Sequence, residues 1–342
     1  MSVGWIDTIH RNQLVNEVIL MSGRSLPSRQ INIVLRQPEH RRAVDGAGDQ
    51  IHASPLADAE PQHTGKRTPL EGPLSDIFKE LNQLIGLDNV KELVHEIYAL
   101  LQISQFRAEA GLISNAHVYH MIFKGSPGTG KTTVARLMGR MFHAMGVLSK
   151  GHFIEVERAD LVGEYIGHTA LKTRELMKKA MGGILFIDEA YSLARGGDKD
   201  FGKESIDALV KGMEDKKNEF ILILAGYSDE MEQFLATNPG LPSRFPIQID
   251  FEDYPIEQLI QITELMAKDR EYVLMPQTVM KLKQHLMEEK AATWRAFSNA
   301  RYVRNILEKA MRHQAVRLLS QYVNAPSKSE LMSIRPEDMK FK

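Results

Sequence analysis

The sequence predicts an α/β fold: a parallel β-sheet covered on both faces by helices, followed by an all-helical domain. Three observations carry that expectation. Short apolar runs (VYHMIFKG, HFIEVE, GGILFIDEA, EFILILAG and PIQIDF) are mostly separated by helix-forming stretches between Val118 and Phe251, the order of a sheet built from strand–helix units. The central runs are apolar at successive positions rather than alternate ones, as in strands buried on both faces. After Tyr254 the strand pattern stops, and EQLIQITELMAKDREY, PQTVMKLKQHLMEEKAATW and ARYVRNILEKAMRHQAVRLLSQY read as helices before a short tail.

The elements follow in chain order. Residues 1–75 read as a mobile arm and linker. Within them only Leu14 to Met21 and Ile31 to Leu35 are apolar, and 36–73 is rich in Pro, Gly, His and charge. Such a stretch buries too little apolar surface to offset its ordering entropy. INIVLR within it is a possible strand. From Leu74 the pattern becomes regular. Val90, Leu93, Val94, Ile97, Leu100 and Leu101 form one stripe of an amphipathic helix, and Gly111 is placed to end it. These readings divide the chain into an arm (1–75), an α/β domain (76–254) and a helical lid with a tail (255–342).

Composition bounds the function. A chain of 342 residues is long for a single core. Its net charge of −1 argues against a sequence-blind nucleic-acid binder or a polybasic membrane-surface protein, because both carry a basic excess. Cysteine is absent, which excludes disulfides, thiolate metal sites and a thiol nucleophile. The longest apolar run near the start, Val18 to Met21, is shorter than a secretory leader core, and no run anywhere approaches a membrane span, so a cytoplasmic protein with no membrane partner is expected. No metal-ligand spacing involves His117, His120 or the other histidines, which read as surface or core residues. The 17 methionines read as adaptable core.

One segment carries specific chemistry. Gly125-Ser126-Pro127-Gly128-Thr129-Gly130-Lys131-Thr132, followed by Thr133, matches G-x-x-x-x-G-K-S/T between a strand and a helix. Gly128 and Gly130 let backbone amides turn inward as an anion nest, and the next helix adds its positive end. Lys131 would neutralise β- and γ-phosphates, and the Thr132 hydroxyl would coordinate Mg²⁺. Ile184-Leu185-Phe186-Ile187 then delivers Asp188 and Glu189 at a strand's carboxyl end, where open α/β sheets bind ligands. Asp188 suits the Mg²⁺ and Glu189 the polarisation of an attacking water. ATP and Mg²⁺ are the expected ligands.

Together with these motifs, the chain resembles the AAA+ family of ring-forming ATPases from about Leu84 to Leu319. Within the family it is similar to the branch of red-type rubisco activases and stage V sporulation ATPases. The carrying residues are GSPGTGKTTVAR, ERADLVGEYIGHTALKT, GGILFIDEAYSLARGGDKDFGKE, ILAGYSDEM, NPGLPSRFP and NARYVRN. The resemblance implies a P-loop nucleotide-binding domain with a C-terminal helical lid. It implies adenine contacts by Ile85-Gly86-Leu87 and an arginine finger, Arg244, reaching a neighbouring subunit's γ-phosphate. It places the lid's sensor arginine at Arg301, with Arg304 as competitor, and a first sensor at Tyr227 or Ser228. Tyr165, Ile166 and Gly167 resemble the pore loop that grips an extended polypeptide, and Gly196 to Lys203 a second, charged pore loop. A ring, usually of six subunits, an unidentified protein client and a role in spore maturation are implied with it.

Overall fold

The structure is a computed structural model that describes residues 72–113, 117–165, 167–195, 201–217, 219–238, 240–293, 297–321 and 324–341. The expected arm up to residue 71 and INIVLR lie outside the described residues. The chain runs through α1 (Pro73–Gln83), α2 (Asp88–Glu109), β1 (Met121–Gly125), α3 (Lys131–Ala144), β2 (Phe153–Val156), α4 (Arg158–Leu161), α5 (His168–Ala180) and β3 (Ile184–Ile187). It continues through α6 (Gly202–Asp215), β4 (Ile221–Gly226), α7 (Ser228–Ala236), α8 (Leu241–Arg244) and β5 (Ile247–Phe251). The lid region holds α9 (Ile256–Lys268), β6 (Val273–Leu274), α10 (Pro276–Ala292), α11 (Asn299–Gln321), α12 (Lys328–Met332) and β7 (Ser333–Ile334). Helix α1 begins at Pro73, inside the stretch read as linker, because proline at the first helical turn is pre-set for helix and gives up no needed donor.

Strands β1 to β5 form one parallel sheet in the order β2-β3-β4-β1-β5. Side chains alternate between its faces, and both faces are covered. Met121, Phe123, Phe186 and Ile223 pack with Val90, Val94, Met138 and Phe142 of α2 and α3. Ile122, Leu185, Ile187, Leu222 and Leu224 pack with Met177, Leu209, Met213 and Phe234 of α5 to α7. The stripe read on α2 is buried at Val90, Val94, Ile97 and Leu101, while Leu100 is exposed. In register, Lys124 faces Gly226 and Ile187 faces Leu224. The carboxyl ends of β1, β3 and β4 therefore open at one level, where a doubly wound sheet offers its crevice.

A third core forms around Leu259, Ile262, Leu282, Leu286, Val303 and Leu307, with Ile85 and Leu87 packed against it from the α1–α2 connection. The all-helical expectation for this region is corrected: β6 and β7 pair in parallel. The tail is built into the lid rather than trailing from it. Thr278 Oγ1 donates to Ile334 O (2.9 Å) and Met275 N to the same oxygen (3.2 Å). Arg317 meets Asp338 through two bonds of 2.8 and 2.9 Å, with Asp338 buried. A bidentate pair with both partners desolvated costs several kcal/mol to break from one side. Of the expected second pore loop, Gly202 and Lys203 instead open α6 and Phe201 caps it; residues 196–200 lie outside the described residues.

His120, just before β1, is a core histidine. It is buried between Phe220 and Phe245, accepts from Leu222 N at 3.0 Å, and burial pushes its pKa down to about 4. The unfolded chain binds this proton near pH 6.5 and the folded one does not, so the contribution is complete above 6.5 and is lost as pH falls toward 4. Between pH 7 and 5 the protein should lose about 2 kcal/mol more stability than its His120→Gln variant. Urea denaturation at the two pH values checks this; equal losses would contradict a buried neutral imidazole.

Candidate functional site

The phosphate loop leaves β1 at Gly125 and enters α3 at Lys131. Its path requires glycine: Gly125, Gly128 and Gly130 have φ of 148°, 73° and 102°. Gly128 carries a second demand that its sequence does not reveal. A Cβ there would run into Ser298 O and the backbone nitrogens of Ala300 and Arg301. The start of α11 thus lies directly on the loop, and Ala300 N donates to Gly128 O at 3.2 Å.

A cleft of about 520 Å³ opens over this contact. It gathers Gly125, Pro127, Gly128, Gly130, Lys131, Thr132 and Thr133 from the loop and α3, Asp188 and Glu189 after β3, Tyr227 after β4, and Arg301 and Arg304 from α11. Ile85 and Leu87, with Ile262, Leu265 and Met266 of α9, make its apolar wall. A flat aromatic base and a polyanionic tail match those two ends, because apolar walls with a few placed polar groups hold and orient a small ligand.

The electrostatics point the same way. Lys131 Nζ donates to Gly125 O (2.7 Å) and Ser126 O (2.8 Å). Burial pushes its pKa down to about 8, with Asp188 opposing, Arg301 adding and Asp253 opposing. A desolvated ammonium with a guanidinium nearby is relieved by anionic charge. Asp188 Oδ1 accepts from Glu189 N at 3.0 Å. Glu189 sits in the left-handed region at φ 48°, a conformation that costs a non-glycine residue energy and persists where the surroundings over-determine it. Burial, and then the Glu189 charge, raises the Tyr227 pKa.

The expected residues separate as follows. Ile85, Gly125, Pro127, Gly128, Gly130, Lys131, Thr132, Thr133, Asp188, Glu189 and Arg301 line the cleft. Thr129 is absent from the cleft lining: its side chain is fully buried and Oγ1 donates to Ser126 O at 2.8 Å, which leaves only its backbone to face the cleft. Tyr227 lines the cleft and Ser228 does not; Arg301 and Arg304 both do. Arg244 is away from it, held by Gly240 O (2.6 Å) and by Glu214. Tyr165 is 65% exposed and so is not packed into a core. It meets His168 edge-on at 5.4 Å, and Thr169 pins the loop's base by accepting from Gly163 N. Ile166 lies outside the described residues.

Sequence reasoning missed Asp253, Tyr254 and Asn299. Tyr254 is buried, and its hydroxyl donates to Thr129 O at 3.0 Å. Asn299 is fully buried beside it. In the sequence Tyr254 marks only a domain boundary and Asn299 only the residue two before Arg301. The available signal was their position between the loop and the lid.

Comparison with known proteins is consistent with this site. Residues 121–253 match the ATPase family associated with various cellular activities, and residues 255–342 match its AAA lid domain. Stage V sporulation protein K of Bacillus subtilis (strain 168) is 55% identical over 317 residues, spanning 92% of this chain and 94% of the relative. The chloroplastic ribulose bisphosphate carboxylase/oxygenase activase of Cyanidioschyzon merolae is 42% identical over 275 residues, spanning 80% of this chain and 92% of the relative. A solved AAA domain of FIGL-1 in complex with ADP superposes with a TM-score of 0.51 at 18% identity, covering 75% of this chain and 80% of that one, and supports the fold.

The double demand on Gly128 yields a prediction. Gly128→Ala should weaken binding of a non-hydrolysable ATP analogue at least about tenfold, since a strained positive φ alone costs of order 1–3 kcal/mol. Titration calorimetry measures it; an unchanged affinity would contradict the contact between loop and lid.

Proposed function

The chain belongs to the AAA ATPases, in the branch that includes stage V sporulation protein K and the rubisco activases, and hydrolyses ATP; we propose that it does so with Mg²⁺ as a ring that remodels a protein client. The observation that carries this reading is one cleft joining the phosphate loop, Asp188, Glu189, Tyr227 and the lid arginines. Gly125 to Thr133 bind the phosphates, with Lys131 on the β- and γ-phosphates, and Ile85 borders the base. Thr132 and Asp188 hold the Mg²⁺. A hydroxyl and one carboxylate suit this ion, which takes its remaining ligands from phosphate and water, and no larger carboxylate cage is needed. The ion supplies charge neutralisation at the phosphates. Glu189 orients and polarises the water, and Arg301 meets the γ-phosphate from the lid.

Arg244 lies outside its own cleft, which suits an arginine finger given to the next subunit. Such head-to-tail contacts close into rings when the rotation fits, and six subunits is the expected number. Tyr165 offers an exposed rigid ring for gripping an extended chain, with Gly167 at φ 80° as its pivot and open space around it. Similarity to a stage V sporulation protein supports a role in spore maturation, and we place the protein in the cytoplasm as part of the same proposal. Among the described residues no helix is long and apolar enough to cross a membrane.

Glu189→Gln should retain ATP binding and slow turnover about 10²–10⁴-fold, the usual range for losing one general base. Arg244→Ala should also be nearly inactive. Mixed one to one, the two inactive proteins should recover about a quarter of wild-type turnover, because one random interface in about four joins an intact Glu189 to an intact Arg244. A steady-state ATPase assay reads this, and no recovery would contradict the shared site. Tyr165→Ala should spare basal ATPase while abolishing client retention by the Glu189→Gln protein in pull-downs. Loss of basal turnover would assign Tyr165 to packing instead.

A further inference from the structure

The lid is joined to the phosphate loop by one buried side chain. Asn299 opens α11 and is fully buried at φ 44°. Asparagine is among the few non-glycine residues that accept this backbone region readily. Its carboxamide reaches three segments at once. Nδ2 donates to Asp253 Oδ1 (2.7 Å) in the connection between β5 and α9, and to Phe297 O (3.2 Å) ahead of α11. The same nitrogen lies 3.5 Å from Pro127 O in the phosphate loop. Oδ1 accepts from Tyr254 N at 3.0 Å. Tyr254 extends the junction in both directions: its hydroxyl donates to Thr129 O (3.0 Å) and its carbonyl accepts from Lys290 Nζ of α10 (2.6 Å).

The next two residues of α11 are the ones that meet the loop. Ala300 N donates to Gly128 O, and the backbone of Arg301 borders Gly128 closely enough to exclude a Cβ. The orientation of α11 is therefore set where it touches the phosphate loop. A buried carboxamide bonded at both ends makes that setting stiff, because releasing it strands buried donors and acceptors. Helix α11 has 23 residues and is about 34 Å long, so a small rotation at Asn299 displaces its far end widely.

We propose that Asn299 is a positioning residue: it locks the start of α11 to the phosphate loop and the β5–α9 connection, so that Arg301 is held over the nucleotide phosphates and movement of the loop turns the lid. This rests on the reading of Arg301 as the lid arginine at the γ-phosphate. The lock has three arms, of which the Asp253 bond is shortest. Aspartate at 299 would keep the acceptor for Tyr254 N, lose the donors, and set a second carboxylate against Asp253.

A double-mutant cycle in full-length protein tests it. Asn299→Gly keeps the backbone conformation accessible and removes only the carboxamide; Asn299→Asp, nearly the same size, takes its place should the glycine variant not fold. Either variant should lower kcat about tenfold, the scale of losing a buried hydrogen-bonded group. It should weaken binding of a non-hydrolysable ATP analogue while leaving ADP affinity within about twofold, which a general loss of stability would not do. In the Arg301→Ala background the same substitution should change kcat less than about twofold. Independent, multiplying effects on kcat, or equal losses for ADP and the ATP analogue, would overturn the positioning role. Wild-type turnover by Arg301→Ala alone would instead overturn the reading of Arg301 on which the proposal rests.

Discussion

The start of α11 rests on Gly128 with no room for a side chain between them, and the rest of the site depends on that contact. The phosphate loop is held from β1 on one side and touched by the lid on the other. Lys131, on the loop's exit, and Arg301, on the lid's first turn, consequently share one cleft. Burial depresses the Lys131 pKa; Asp188 opposes this and the Arg301 charge adds to it. Two cations brought together in a partly buried cleft favour an anionic ligand with several charges, which is the character of a nucleoside triphosphate.

The sheet supplies the opposite charges. Because β3 lies next to β4, and β4 next to β1, the ends of the three strands form a continuous floor. Asp188 and Glu189 emerge from β3 two strands away from the phosphate loop. Backbone strain at Glu189 and the bond from its amide to Asp188 fix the two carboxylates relative to each other. The same pair borders a second groove shared with Tyr165 and His168. Arg158, which precedes that loop, donates to Ser192 O in the turn after Glu189. The segment after the carboxylates is thereby tied by a hydrogen bond to the segment that leads to the exposed tyrosine.

Much of this was legible in the sequence, for physical reasons that differ by element. The central strands were readable because strands buried on both faces are continuous apolar runs, as in ILFI and ILILAG, while the edge strands FIEV and IQIDF showed only shorter, interrupted apolar patterns. The phosphate loop was readable because its chemistry admits few residue types. Ile85 and Leu87 were placed by resemblance, and the structure puts both in the apolar wall. The strands Val273–Leu274 and Ser333–Ile334 were not legible: pairs of two residues have no period, and their partner is about sixty positions away along the chain. Thr129 faces inward because its hydroxyl closes the loop on Ser126 O, which spacing alone does not reveal. Asn299 and Tyr254 were hidden for a similar reason. Their role lies in bonds spanning 172 and 125 positions, and nothing local marks such residues.

The central claim is that a single ATP site is completed by the lid resting on the phosphate loop. A crystal or cryo-electron microscopy structure of the protein with Mg²⁺ and a non-hydrolysable ATP analogue tests it most directly. The account predicts the triphosphate in the amide nest of Gly128 to Thr132 with Lys131 on its terminal phosphates. It predicts Mg²⁺ between Thr132 and Asp188, the base against Ile85 and Leu87, and the Arg301 guanidinium on the γ-phosphate while Asn299 keeps its bonds to Asp253 and Tyr254. A triphosphate bound there with the start of α11 lifted away from Gly128 and Arg301 turned to solvent would contradict it.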